Sequence, residues 1–230
     1  MTPRTVLDHV VASIGPGSRA QAEGARQRLA LRPEGTGGGL EQLALRLAAA
    51  RHAPHPRLER RVLVLCAADH GVADPGVDLG DGAPSVVAMR HIAAGGAALN
   101  AAARAAGARL VLVDCGVRGG DRHDLGAGII PFRVADGTAD ITAGPAMTPV
   151  EAVIALQTGI ALLTSIADEG VDLIALGQLG PGSQPVTGAL IAALTGEPAA
   201  LIDPRGRVAV AAGGEVGAGT AEATVALDGG

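Results

Sequence analysis

The sequence has no tryptophan, no tyrosine and a single phenylalanine in 230 residues. Proteins that grip single-stranded nucleic acid stack its bases on aromatic side chains, so that class of binding is excluded. Clustered positive charge is equally scarce. The net charge is −5 and, apart from Arg57, Arg60 and Arg61, the arginines are scattered. Neither a nucleic-acid surface nor an anionic membrane surface fits that distribution. No apolar run approaches the length of a membrane span, and the N-terminus lacks the charged-then-apolar pattern of a signal peptide. Cysteine is confined to Cys66 and Cys115, each at the end of an apolar run. They read as buried small hydrophobes in a protein of the reducing cytoplasm, rather than as a disulfide or a nucleophile. Two enzyme signatures are also missing. There is no G-x-S-x-G elbow for a serine hydrolase and no G-x-x-x-x-G-K-[ST] loop for a nucleoside triphosphate.

What is present is apolar and small. Hydrophobic residues make up 48%, mean hydropathy is +0.33 and there are 35 glycines, enough for a large core of alanine and branched aliphatics. Residues 1–56 read as a helical appendage. Segments 5–13 and 18–31 are helix-compatible, RPEGTGGG (32–39) is a loop, and LEQLALRLAAARHA is amphipathic with Leu40, Leu43, Leu47 and Ala48 on one face. His52 and His55 fall in the linker that follows and read as surface residues.

The texture changes after residue 56, and 57–230 reads as an α/β nucleotide-binding domain. RVLVLCAAD (61–69), RLVLVDCGV (109–117) and VDLIALGQ (171–178) are apolar runs of buried-strand length, with RVAVAA (207–212) as a fourth candidate. Helix-length segments at 84–106, 148–168 and 185–195 separate them. Continuous apolar strands alternating with helices predict a doubly wound, mostly parallel, Rossmann-like sheet covered on both faces. In such a sheet the ligand crevice lies beyond the strand carboxyl ends. The loops there are 69–82, 114–126 and 177–184, all rich in glycine and aspartate or glycine alone.

In LGQLGPGSQPVTG (176–188), Gly177, Gly180 and Gly182 permit close backbone approach, and a helix opens at Ser183. The backbone N–H groups and dipole of that helix could hold an anion without any charged side chain. The same spacing also suits an ordinary strand-to-helix turn. Asp69 and His70 follow the first strand directly. Substrate hydrogen bonding, metal ligation, or a turn cap beside a half-exposed imidazole all fit that pair. Asp121, His123 and Asp124 either extend such a cluster or form a solvated loop beside Arg118 and Arg122. Gly95 and Gly96 interrupt the helix 84–106, for close packing or for a bend that carries Asn100 toward a ligand.

Several motifs in order resemble one family, the nicotinate-nucleotide–dimethylbenzimidazole phosphoribosyltransferases of cobalamin lower-ligand assembly. EGTGGGLEQLALRLA (34–48) resembles the family's PGSLGRLEELA segment. AADHGVADPGV (67–77) and AGGAALN (94–100) match its AADHGV and GGAAIN motifs. DGTADITAGPAMT (136–148) is similar to its GTANF…PAMT segment, and DLIALGQLGPGSQP (172–185) to its DLLALGEMGIGNTTP loop. The resemblance implies transfer of ribose phosphate from nicotinate mononucleotide to a benzimidazole-type base, in a homodimer, with no metal and no other cofactor. By that resemblance Gly180, Gly182, Ser183 and Gln184 bind phosphate, and Asp69, His70, Asp78 and Ser85 form the base pocket.

The chain also departs from the family pattern. Gln178 stands where the family loop carries glutamate, and an amide cannot take a proton at neutral pH. After the DHGV motif, Gly80 and Gly82 replace an aromatic residue and a glutamine, while Asp78 and Asp81 are new carboxylates. The tail EVGAGTAEATVAL (215–227) resembles the family's closing motif after an internal deletion, which would shorten the C-terminus. Ala218 then takes the place of the second catalytic glutamate, with Glu215 out of register. An eroded copy of the family's GRGTG stretch is the other reading of that tail. Two functional alternatives follow. One is a catalytically impaired paralog that binds a nucleotide or base, or serves as a partner subunit. The other is a small-molecule metallohydrolase using Asp69 and His70.

Overall fold

The structure is a computed structural model that describes residues 3–31, 38–73, 84–119 and 125–197. Contacts divide the chain between Glu59 and Arg60 into two compact units. Among the described residues the first holds three helices: α1 (Pro3–Ser13), α2 (Arg19–Leu29) and α3 (Gly39–Ala50). Ser18 caps α2, its Oγ accepting the Gln21 N–H at 3.4 Å. Its own backbone N–H donates to Ala49 O at 2.9 Å, at the end of α3. Ala25 of α2 and Ala48 of α3 are buried, small side chains that suit closely packed helices.

The second unit runs β1 (Arg61–Ala68), α4 (Pro84–Ala93), α5 (Ala98–Ala105), β2 (Ala108–Gly116), β3 (Ile129–Pro131), α6 (Pro149–Asp168), β4 (Leu173–Leu179) and α7 (Ser183–Thr195). Among the described residues its four strands form one parallel sheet in the order β3-β2-β1-β4. Strand β1 is central, with Val64 opposite Val111 of β2 and Leu176 of β4. Alternate residues of β1 serve opposite faces, as the two-residue period of a strand requires. Leu65 and Ala67 join Leu112 in a core closed by Val86, Met89 and Ile92 of α4. Val62 and Val64 join Val111 and Val113 in a second core closed by Leu162 and Ile166 of α6. Each fully buried aliphatic contributes about 1.5–3 kcal/mol. The doubly covered parallel sheet predicted from the apolar runs is what the chain forms.

Four local expectations need correcting. The segment 84–106 is two helices, since the chain leaves α4 at Ala93 and re-enters helix at Ala98. Asn100 does not reach toward a ligand. Its Oδ1 accepts the Ala97 N–H at 3.0 Å and its Nδ2 donates to Ile92 O at 3.0 Å, so it staples the break between α4 and α5. Strand β3 escaped the sequence reading, because three residues ending in proline give no strand signal. Finally, α6 is long and apolar enough, by length and composition alone, to cross a membrane. Glu151 and Asp168 bracket its apolar run and polar residues interrupt it, which hid its length. Leu162 and Ile166 on this helix are packed against the sheet. The strand candidate RVAVAA (207–212) lies outside the described residues.

Candidate functional site at the strand carboxyl ends

The loops after β1, β2, β3 and β4 converge around His70. Its backbone N–H donates to Pro181 O at 3.3 Å, tying the first loop to the glycine turn after β4. On the other side, Thr138 N donates to Asp69 O at 3.0 Å and Gly71 N to Thr138 O at 3.1 Å. His70 thus bridges two segments that are far apart in sequence.

Geometry makes two glycines of the turn obligatory. Gly180 has φ +149°, and a Cβ there would overlap the Ala68 carbonyl oxygen. Gly182, at φ +79°, is the left-handed N-cap of α7, and a Cβ would stand 3.0 Å from both the His70 Cβ and a Val72 methyl. Ser183 opens α7, and Gln184 is exposed beside it. Gln178 sits at the end of β4 in register with Cys66. Its amide and the Thr187 hydroxyl lie 3.1 Å apart, while Thr187 also donates to Ser183 O at 2.8 Å. The residue in the family's glutamate position is therefore held to Thr187, near the start of α7.

Asp69 and Ser85 come together, but inside the protein. Asp69 is 1% exposed; one oxygen accepts the Ser85 hydroxyl and the other accepts the Arg118 N–H at 2.8 Å. Asp114 behaves alike at the end of β2. Its Oδ1 accepts from Gly116 N (3.0 Å) and Val117 N (2.8 Å), and its Oδ2 pairs with Arg133 at 3.0 Å. These buried carboxylates brace the loops. The metallohydrolase alternative loses support accordingly, because both Asp69 oxygens already have protein donors. Among the described residues no three His, Cys, Asp or Glu groups cluster as metal ligands would. Asp78, Asp81, Asp121, His123, Asp124, Glu215 and Ala218 lie outside the described residues.

Beside His70 opens a cavity of about 790 Å³. Its wall is largely apolar and includes Ala68, Val134, Ala146 and Met147. The polar exceptions are His70, Cys115, Thr138, Thr148 and Glu151. Burial pushes the His70 pKa below its ordinary 6.5, with Arg118 adding to the drop and Asp69 opposing it, so the imidazole is neutral at pH 7. Cys66 and Cys115 are free and half-buried. A hydrogen bond from the Cys115 thiol lowers Cys66 to about 7, and the same bond raises Cys115. At the mouth of α6, Thr148 and Glu151 form a capping box. Glu151 accepts Thr148 N–H at 2.6 Å and Thr148 Oγ1 accepts Glu151 N–H at 3.2 Å. Thr138, Met147, Thr148 and Glu151 had no role in the sequence reading. The segment 136–148 resembles a family motif and carries Thr138, Met147 and Thr148, whereas nothing in the sequence marks Glu151 as part of a cavity wall.

Known proteins are similar to this chain in sequence and fold. A family model described as phosphoribosyltransferase matches residues 14–227. A nicotinate-nucleotide–dimethylbenzimidazole phosphoribosyltransferase of Roseiflexus sp. (strain RS-1) is 36% identical over 205 residues, 88% of this chain and 57% of that protein. One from Desulforudis audaxviator (strain MP104C) is also 36% identical, over 203 residues, 87% of this chain and 57% of the relative. The crystal structure of CobT from Thermus thermophilus superposes with a TM-score of 0.70 at 35% identity, covering 91% of this chain and 61% of that one. The chain thus spans a little over half the length of these relatives. With family model, relatives and solved structure in agreement, the chain belongs to the nicotinate-nucleotide–dimethylbenzimidazole phosphoribosyltransferase family.

Proposed function

We infer that this protein acts on nicotinate mononucleotide and a benzimidazole-type base, moving ribose phosphate from the first to the second in cobalamin lower-ligand synthesis. The observation that carries the reading is the junction at His70, where the glycine turn 180–183 meets the wall of a largely apolar cavity. The phosphate is assigned to the turn. Gly182 caps α7 with no side chain, so an anion can approach the backbone and the positive end of the helix dipole. The cavity suits a flat, largely apolar base. Chemistry there needs no redox step. The lone-pair ring nitrogen of the base attacks C1′, nicotinate departs with the electrons of its glycosidic bond, and the proton on the other ring nitrogen is released to solvent.

The position of Gln178 favours one qualification of that reading, binding with weak turnover. A positioned general base is worth about 10²–10⁴ in rate, and Gln178 cannot supply one. We assign the protein to the cytoplasm, in keeping with its two free thiols. We also infer a homodimer. Val150, Ile154 and Leu156 on α6 and Leu190, Ile191 and Leu194 on α7 are exposed in the single chain, and a second copy would cover them.

The test is thermal shift with nicotinate mononucleotide, followed by assay of free nicotinate after adding 5,6-dimethylbenzimidazole. A ligand at a hundredfold excess over its Kd adds about 2.7 kcal/mol of stability, so a clear rise in Tm is expected. Nicotinate release should be slow, and Gln178→Glu should raise it. No shift at millimolar ligand would overturn the nucleotide site. Brisk release by the unaltered protein would overturn weak turnover and keep the site.

A further inference from the structure

One hydrogen-bond pattern in the site determines a tautomer. The Thr138 hydroxyl has a single proton and donates it to Ala139 O at 3.1 Å. Its oxygen also lies 3.3 Å from His70 Nδ1. With the hydroxyl proton already directed to a carbonyl, the second contact is a hydrogen bond only if Nδ1 carries the hydrogen and donates it. Neutral imidazole holds one N–H. Nε2 is therefore the lone-pair nitrogen, an acceptor, and no described protein group bonds it. His70 lines the 790 Å³ cavity. Its backbone is held by Pro181 O and by the bridge to Thr138, and its ring by the Nδ1 contact to the Thr138 hydroxyl.

An apolar cavity with one fixed acceptor selects for a flat apolar ligand with one N–H. Azole bases such as benzimidazole have that N–H on one ring nitrogen and a lone pair on the other. We propose that His70 is the specificity-determining residue of the base site, its Nε2 accepting the azole N–H and so turning the other ring nitrogen, with its lone pair, away toward the sugar. The proposal rests on the base-binding reading above and adds to it which edge of the base is read and by which atom. Three features support it. Burial keeps the imidazole neutral. The glycine turn against His70 carries no charged residue between 177 and 184. Gly182 leaves room for His70 where any side chain would meet it. Among the described residues, the titratable or charged groups that act on His70 are Asp69 and Arg118, in opposite directions, with Cys115 and Glu151 elsewhere on the cavity wall.

The test is a binding cycle on the full chain, by calorimetry, using benzimidazole and 1-methylbenzimidazole. Methylation deletes the N–H and retains the ring and its second nitrogen. A hydrogen bond to a site that otherwise leaves an acceptor unpaired is worth about tenfold in affinity, so the unaltered protein should bind benzimidazole about tenfold more tightly than its methyl analogue. In His70→Phe the two should bind alike, because the acceptor is gone while the ring volume remains. In Thr138→Val the gap should shrink, since Nδ1 loses its acceptor and the tautomer is released. Thr138→Val also supplies the answer should His70→Phe fail to fold. A gap that persists in His70→Phe reflects steric exclusion of the methyl group and overturns the proposal. Equal binding of both ligands by the unaltered protein also overturns it, while leaving the base site in place. Binding of neither ligand, with nicotinate mononucleotide still raising Tm, overturns the base site and this proposal together but not the nucleotide site.

Discussion

Strands β1 and β4 read almost alike as sequence, RVLVLCAA and LIALGQL, yet they live in different surroundings. In β1, Val62, Val64, Leu65 and Ala67 are all buried, because neighbours flank it on both sides and helices cover both faces. In β4, Leu176 is 69% exposed and Leu173 39%, and the strand forms the sheet edge among the described residues. An apolar run therefore establishes that a segment is a strand without establishing that it is core. What distinguishes the two is position in the sheet, which depends on strand order. The carboxyl end of β4 nevertheless carries the more demanding geometry, since Gly180 presses on β1 there.

The largest effect is expected where the two strands meet. Gly180→Ala would force a left-handed φ on alanine and drive its Cβ into the Ala68 carbonyl. The expected cost is about 4 kcal/mol or more, seen as loss of cooperative urea unfolding or a midpoint moved far downward. A near-neutral result would mean the turn does not pack on β1.

The comparison itself is sharpened by two alanine substitutions measured side by side. Met89, fully buried over the β1 face, should lose about 2–5 kcal/mol as Met89→Ala. Leu176→Ala on β4 should stay within about 0.5 kcal/mol for the single chain. Equal losses would show that β4 is covered in solution, and sedimentation of the Leu176 variant would then reveal whether a second copy is what covers it.

A modest effect is expected at the cavity wall, where Thr148 and Glu151 meet. Thr148→Ala removes the cap of α6 and should cost about 1 kcal/mol. Hydrogen bonds from the Thr148 N–H and hydroxyl hold the Glu151 pKa below its ordinary 4.5. The carboxylate thus binds fewer protons when folded, and its contribution is present above about pH 4.5 and lost as pH falls through the lowered folded value. Acid titration of stability should show a shallow decline there, flatter in Thr148→Ala because one of those bonds is gone. Identical slopes would mean the capping box does not form.

Much of this was legible in the chain. The parallel sheet followed from three apolar runs, and the glycine turn from Gly180, Gly182 and the helix opening at Ser183. The helix break was visible as Gly95–Gly96, but its meaning was not. The break suited either close packing or a bend carrying Asn100 toward a ligand; the two ends of Asn100 satisfy backbone groups at the break, a role that only coordinates can show. Asp69 was similarly ambiguous. An aspartate after a parallel strand suits a ligand contact, and burial with both oxygens bonded is a tertiary fact. The cavity wall was the least legible part. It is built from 134–155 because Thr138 pairs with His70 across the loop after β1, and no periodicity encodes such a pairing.

The long return from β1 to β4 has a kinetic consequence. Arg60 N donates to Asp172 across a separation of 112 residues, and β1 pairs with β4 from Arg61 to Ala67. Contacts so distant in sequence close large loops before any reward is gained, which slows folding. On the ribosome, β1 emerges first and its β2 side can pair while its β4 side stays open until most of the chain has followed. The glycine turn, which depends on that last pairing, is then the final piece to set. A pulse-labelled hydrogen-exchange experiment would read this order directly, with amides of β1 facing β2 protected before those of β4.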